Sequence, residues 1–141
     1  MARYVLDASV AVSLLLRDEP FHPHAITLFE RFAENELGLV TVPLLIFEVA
    51  NALWKAVRLG RIGFGDATEA VRKIAELRIP LRHVDPETML KLAHEYGRTA
   101  YDAAYLALAI QEGIPLVTAD KRLYNALRET FQRILWIESV E

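Results

Sequence analysis

The sequence predicts an α/β fold, a three-layer sandwich in which a parallel sheet of four or five strands is flanked by helices. Short apolar runs at 4–6, 39–42, 81–84, 116–118 and 134–137 are separated by longer segments whose apolar residues recur with helical period. Strand alternating with helix requires crossover connections, and these favour parallel pairing with helices on both faces. The joints between elements also carry recognisable start and stop chemistry.

The first run, Tyr4-Val5-Leu6, stops at Asp7 and passes through Ala8 and Ser9 into a helix expected over 9–16. Further helices are expected at 22–36, 44–59, 65–77, 87–97, 101–112 and 121–129. Gly60 and Gly63 end the third helix, and Asp66 with Glu69 three residues on reads as a capping pair for the fourth. Asp85-Pro86 is an N-cap with proline at the first helical position, while Gly97 and Gly113 close the fifth and sixth helices. No repeat, low-complexity stretch or linker interrupts the 141 residues, which are read as one domain.

Composition narrows the function classes. Apolar residues make up 53% and charged residues 25%, as in a compact globular protein. The absence of cysteine excludes a disulfide framework, a thiolate zinc site and a cysteine nucleophile, and it suits a reducing interior. No targeting segment is visible and no run approaches a membrane span, so a cytoplasmic protein without membrane attachment is expected. A net charge of −3 argues against a general nucleic-acid coating protein. It leaves room for a nuclease, whose metal-binding acids lower the net charge while a local basic rim holds phosphates.

The acids decide the chemistry, and Asp85 sets the standard for judging them. It follows a strand as Asp7 does, yet capping explains it fully. Asp7 alone reads equally as a cap or as a metal ligand. Glu48 shares a narrow polar stripe with Asn51, Lys55 and Arg58 on a helix that is otherwise almost wholly apolar. Position 52, where an i+4 cation would support Glu48, is alanine. Asp102 stands three residues after Thr99, as in a capping box, but shares its face with Leu106 and Ala109, where an acid needs a partner. Asp120 follows another strand and opens a helix, so capping and a site explain it equally. Together, the four could meet at one edge of the sheet, beyond the carboxyl ends of the strands. Carboxylates held close repel one another unless a divalent cation neutralises them, and oxygen ligands suit Mg²⁺ or Mn²⁺. Such a site polarises a phosphodiester and activates water for in-line attack.

The series YVLDAS, FEVANAL, YDAAYLALA and LVTADKRL runs in that order over essentially the whole chain. It resembles the PIN-domain ribonucleases, and closely the VapC toxins of bacterial and archaeal toxin–antitoxin pairs. Each piece alone is a weak motif; four in order are specific. The resemblance implies that Asp7, Glu48, Asp102 and Asp120 form the family's acidic quartet. It places the hydroxyls of Ser9 and Thr118 near that quartet and makes Asn51 a neighbour on the Glu48 helix. It further implies an endoribonuclease requiring Mg²⁺ or Mn²⁺, a homodimer, and inhibition by a cognate antitoxin that lays a helical segment into the acidic cleft.

Lys55, Arg58 and Arg61 extend from the Glu48 stripe, and Lys121 and Arg122 follow Asp120. As a rim they would hold RNA phosphates, although a solvated surface explains each one singly. Phe47, Trp54 and Trp136 are expected in the core or a dimer interface. His22, His24, His83 and His94 lack metal-ligand spacing, and Asp18 and Glu19 are expected in a solvated loop. Two rival readings remain. A phosphoacceptor receiver domain needs an acidic pair after the first strand, where Ala8 and Ser9 stand instead. A catalytically silent binding module is disfavoured by four acids in place.

Overall fold

A computed structural model describes all residues from Met1 to Glu141. The elements in chain order are β1 (Arg3–Leu6), α1 (Ala8–Leu15), α2 (His22–Ala33), β2 (Gly38–Val40), α3 (Leu44–Arg58), α4 (Phe64–Glu76) and α5 (Pro86–Tyr96). They continue with α6 (Ala100–Glu112), β3 (Leu116–Thr118), α7 (Lys121–Leu127), β4 (Ile134–Trp136) and a closing 3₁₀ turn, Ile137–Ser139. All strand pairs are parallel, in the order β2-β1-β3-β4. No helix is long and apolar enough to cross a membrane.

The two central strands are apolar throughout their length because both faces are covered. Val5, Leu6, Leu116 and Val117 are fully buried, with Val5 opposite Leu116 and Leu6 opposite Val117. Helix α6 is buried along Ala103 to Ala109 and packs on α5, β1 and β3. Alanines intersperse Tyr105, Leu106 and Leu108 along this buried stretch. Helix α3 turns Leu45, Val49, Leu53 and Ala56 inward, the spacing of a single buried helical face.

The structure corrects three expectations about the elements. The run 81–84 does not form a fifth strand; a single bridge joins Leu81 to Thr41. β2 ends at Val40 and Pro43 then turns the chain into α3, so only Thr41 remains to pair. Pairing at 134–137 stops at Trp136, and Ile137 begins the final turn. Asp66 does not cap α4, because that helix starts one residue early, with Gly63 at its N-cap. Asp66 lies instead in the first turn, where its charge favours the positive end of the helix. Asp85, Gly97 and Gly113 take their expected capping places, both glycines with left-handed φ of 63° and 67°.

The strand order positions the site. β2 lies on one side of β1, and β3 with β4 on the other, so the connections leave in opposite directions at the β1–β3 boundary. Helices that diverge from such a boundary open a crevice at the carboxyl ends of the strands. β1 runs into Asp7 and β3 into Thr118, Ala119 and Asp120 at that same end.

Candidate active site

Asp7 caps α1 and sits at the centre of a hydroxyl network. Its Oδ1 accepts from the hydroxyl of Ser9 at 2.5 Å and the backbone N–H of Val10 at 3.3 Å, and Oδ2 accepts from the Thr118 hydroxyl at 2.6 Å. Each hydroxyl also accepts a backbone N–H, Ser9 from Ala119 at 2.9 Å and Thr118 from Asp120 at 3.0 Å. Both hydroxyl protons are thereby committed to Asp7, and the network binds the end of β1 to the turn after β3. Asp7 is only 4% exposed and has no cationic partner. Burial pushes its carboxyl up to about 6 against the opposing pull of these donors, and the charge of Asp120 adds to the rise.

Glu48 and Asp102 approach from α3 and α6. Glu48 Oε1 accepts the Tyr105 hydroxyl at 2.6 Å. Partial burial, and secondarily the charge of Asp102, holds the Glu48 carboxyl above its usual range. Burial and the nearby acids hold the Tyr105 phenol strongly protonated, so at any ordinary pH it is a hydrogen-bond donor. Asp102 has the partner that its apolar face demanded: Arg98 reaches Oδ2 through Nε at 3.2 Å and Nη2 at 3.1 Å. The Thr99 hydroxyl meanwhile accepts the Asp102 N–H and caps α6. Neither Tyr105 nor Arg98 stands out in the sequence. Arg98 lies before the cap of its helix, outside the window in which i,i+4 pairs are sought, although that spacing to Asp102 was the available signal.

Asp120 caps α7 through Oδ1, which accepts from the N–H groups of Arg122 and Leu123. It also lines an open cleft of about 720 Å³ with Ser9, Glu48, Asn51, Lys55 and Lys121. Asp7 and Asp102 do not line this cleft. The structure thus brings Lys55 and Lys121 to it but not Arg58 or Arg122. Arg58 lies 5.9 Å over the ring of Trp54.

Arg61 is not a free rim cation, and Asp18 and Glu19 are not simply solvated. Arg61 grips Asp18 through two bonds of 2.8 and 2.9 Å and Glu19 at 2.7 Å. The guanidinium thereby lowers the Asp18 carboxyl. Nor are Phe47 and Trp54 core residues: they are 71% and 53% exposed on α3, while Trp136 packs edge-on against Phe21 at 4.9 Å. His22 donates through Nδ1 to the Ser13 carbonyl near the end of α1, a structural task.

No three of the acidic or histidine side chains lie close enough to enclose a metal together in this arrangement. The donor chemistry still fits a hard divalent cation. Only one of the four acids has a cationic partner, and all the available ligand atoms are oxygen. Glu48 Oε2, Asp102 Oδ1 and Asp120 Oδ2 each take no protein donor, while the other oxygen of each carboxylate is held.

Comparison with known proteins agrees with this fold. The PIN domain family model matches residues 4–128. Among relatives in Pyrobaculum aerophilum, Ribonuclease VapC3 is 34% identical over 125 residues, covering 86% of this chain and 92% of that protein. Exonuclease VapC9 from the same organism is 31% identical over 120 residues, covering 85% and 82%. The crystal structure of P. aerophilum PAE2754 superposes with a TM-score of 0.74 at 26% identity, covering 98% of this chain and 91% of that one. Mycobacterium tuberculosis VapC20, described as a toxin that cleaves the sarcin-ricin loop, shares the fold at a TM-score of 0.60 and 17% identity, covering 88% and 95%. A sheet with its switch point between β1 and β3, a family match over residues 4–128 and relatives at 31% and 34% identity lead to one conclusion: the chain belongs to the PIN-domain family.

Proposed function

We propose that this chain is a metal-dependent endoribonuclease, the toxin of a toxin–antitoxin pair, with Asp7, Glu48, Asp102 and Asp120 as its acidic quartet. The observation that supports the reading is that Glu48 and Asp120 line one cleft, while the charge of Asp102 acts on Glu48 and that of Asp120 on Asp7. Glu48, Asp102 and Asp120 each keep one oxygen free of any protein donor. Mg²⁺ or Mn²⁺ held by these oxygens would supply the Lewis acidity that polarises a phosphodiester and lowers the pKa of water. The chain's own work is positional. Ser9 and Thr118 fix Asp7, Glu48 and Asp120 define the cleft wall with Asn51 beside them, and Lys55 and Lys121 lie where RNA phosphates would enter. Arg58 and Arg122 do not line the cleft, so the proposed phosphate contacts rest on Lys55 and Lys121.

An acid-lined cleft also complements a basic helical segment, which supports a cognate antitoxin as protein partner. The exposed Phe47 and Trp54 on α3 support a homodimer, since solvent is a poor neighbour for two large aromatics on one helix. Such a toxin would act in the cytoplasm, where RNA is available.

The test uses purified chain free of antitoxin, with a single-stranded RNA circle as substrate. Linearisation that needs Mg²⁺ or Mn²⁺ and stops with EDTA supports the proposal. Attack on linear RNA alone would indicate an exonuclease, the activity in the name of one relative. No cleavage under any of these conditions would favour a silent binding module.

A further inference from the structure

Asp120, Asp102 and Glu48 share one arrangement, in which donors hold one carboxylate oxygen and leave the other free. Two of the holders have ordinary local explanations. The N–H groups that hold Asp120 Oδ1 form a helix cap, and Arg98 holds Asp102 Oδ2 as an i,i+4 ion pair. Tyr105 has no such explanation. It is 3% exposed in the most buried stretch of α6, and its hydroxyl reaches α3 to meet Glu48 at 2.6 Å, 57 residues away in the chain.

Phenylalanine would fill that volume without a polar atom to satisfy. A buried phenol needs a partner, and here the partner is the flexible carboxylate of an otherwise unsupported glutamate. Glu48 has no cation at i+4, because Ala52 occupies that position, and no other donor reaches it. Its carboxylate therefore depends on one bond for its orientation.

We infer that Tyr105 is a positioning residue for the metal site, holding Glu48 Oε1 so that Oε2 stays aimed at the ligand position. The inference rests on the reading of Glu48 as a metal ligand given above. Tyr105 itself touches neither metal nor RNA. Residues that orient metal ligands in this way typically affect metal affinity by about 10- to 100-fold.

The test is Mn²⁺ binding by isothermal titration calorimetry, with no RNA present, for wild type, Tyr105→Phe, Glu48→Gln and the double variant. Tyr105→Phe keeps the ring and the packing. It should weaken Mn²⁺ binding about tenfold, lower kcat and leave the KM for RNA unchanged. In the Glu48→Gln background the same substitution should change Mn²⁺ affinity no further, since the residue it orients no longer ligates. Unchanged affinity in Tyr105→Phe overturns the inference. So does an equal loss in both backgrounds, which would mark a packing effect. If wild type takes up no Mn²⁺, the metal-site reading falls first and this inference with it.

Discussion

The hydroxyl of Thr118 donates to Oδ2 of Asp7 over 2.6 Å, joining the residue that ends β3 to the residue that follows β1. The bond spans the boundary where the sheet's connections reverse, so it holds together the two strand ends on which the crevice depends. Thr118→Val should remove a hydrogen bond to a charged group, worth about 1.5–3 kcal/mol, and strand the N–H of Asp120 as well. Urea unfolding at pH 7 should show that loss, and Thr118→Ser should restore most of it. An equal loss at pH 4.5, where Asp7 is mostly protonated, would mean that the charge on Asp7 contributes nothing to the bond.

Burial makes the charged form of Asp7 less favourable to the fold than the protonated form. Its carboxyl is raised to about 6 in the folded chain from an ordinary value of 3.8. The folded state therefore holds its proton more tightly, and the stabilisation from that proton is complete below about pH 4 and lost as pH rises through 6. The difference amounts to about 3 kcal/mol at most. Asp7→Asn should flatten the stability profile across this window and unfold at higher temperature above pH 6, less the one acceptor that an amide gives up. The same variant should have no RNA cleavage. Retained cleavage would remove Asp7 from the quartet.

Capping and catalysis can be separated at Asp120. Asparagine caps helices about as well as aspartate, so Asp120→Asn should keep α7 and lose most of the cleavage. Asp120→Ala should lose both, with a stability decrease of about 1 kcal/mol from the missing cap. If Asp120→Asn cleaves RNA normally, the residue serves only the helix.

Arg61 ties the 17–21 loop to the turn after α3 through Asp18 and Glu19, and Glu19 and Phe21 belong to the cleft wall. Arg61→Ala should speed amide exchange in that loop while α3 and the sheet keep their protection. High salt should reproduce part of the effect in wild type, because the pair is partly exposed. The KM for RNA should rise more than kcat falls, since a cleft wall loosens while Asp7, Glu48, Asp102 and Asp120 keep their partners.

How far the sequence reached depended on whether a residue's role was local. All seven helices were legible because period, caps and stop signals lie within a few residues of each other. Asp85 with Thr88, Thr99 with Asp102 and the left-handed glycines at 97 and 113 are all of this kind. The run 81–84 looked like a strand because its composition suits one, but pairing also needs a neighbour, and Pro43 had already taken β2 away. Arg61 looked like a free cation because its two acidic partners lie more than forty residues earlier.

The four acids could be named as candidates from the sequence, Asp7 and Asp120 because they follow strands, Glu48 and Asp102 because they stand on otherwise apolar helix faces. Which oxygen each one offers could not be chosen. That depends on Ser9 and Thr118 meeting at Asp7 from positions 109 residues apart, on Tyr105 crossing from α6 to Glu48, and on Arg98 taking Asp102 Oδ2. The sequence by itself determined the elements, the cap chemistry and the candidate acids, because those follow from short-range sterics and hydrogen bonding. Only the tertiary structure decided burial and partnership, because desolvation and long-range hydrogen bonds exist only after the strands have paired.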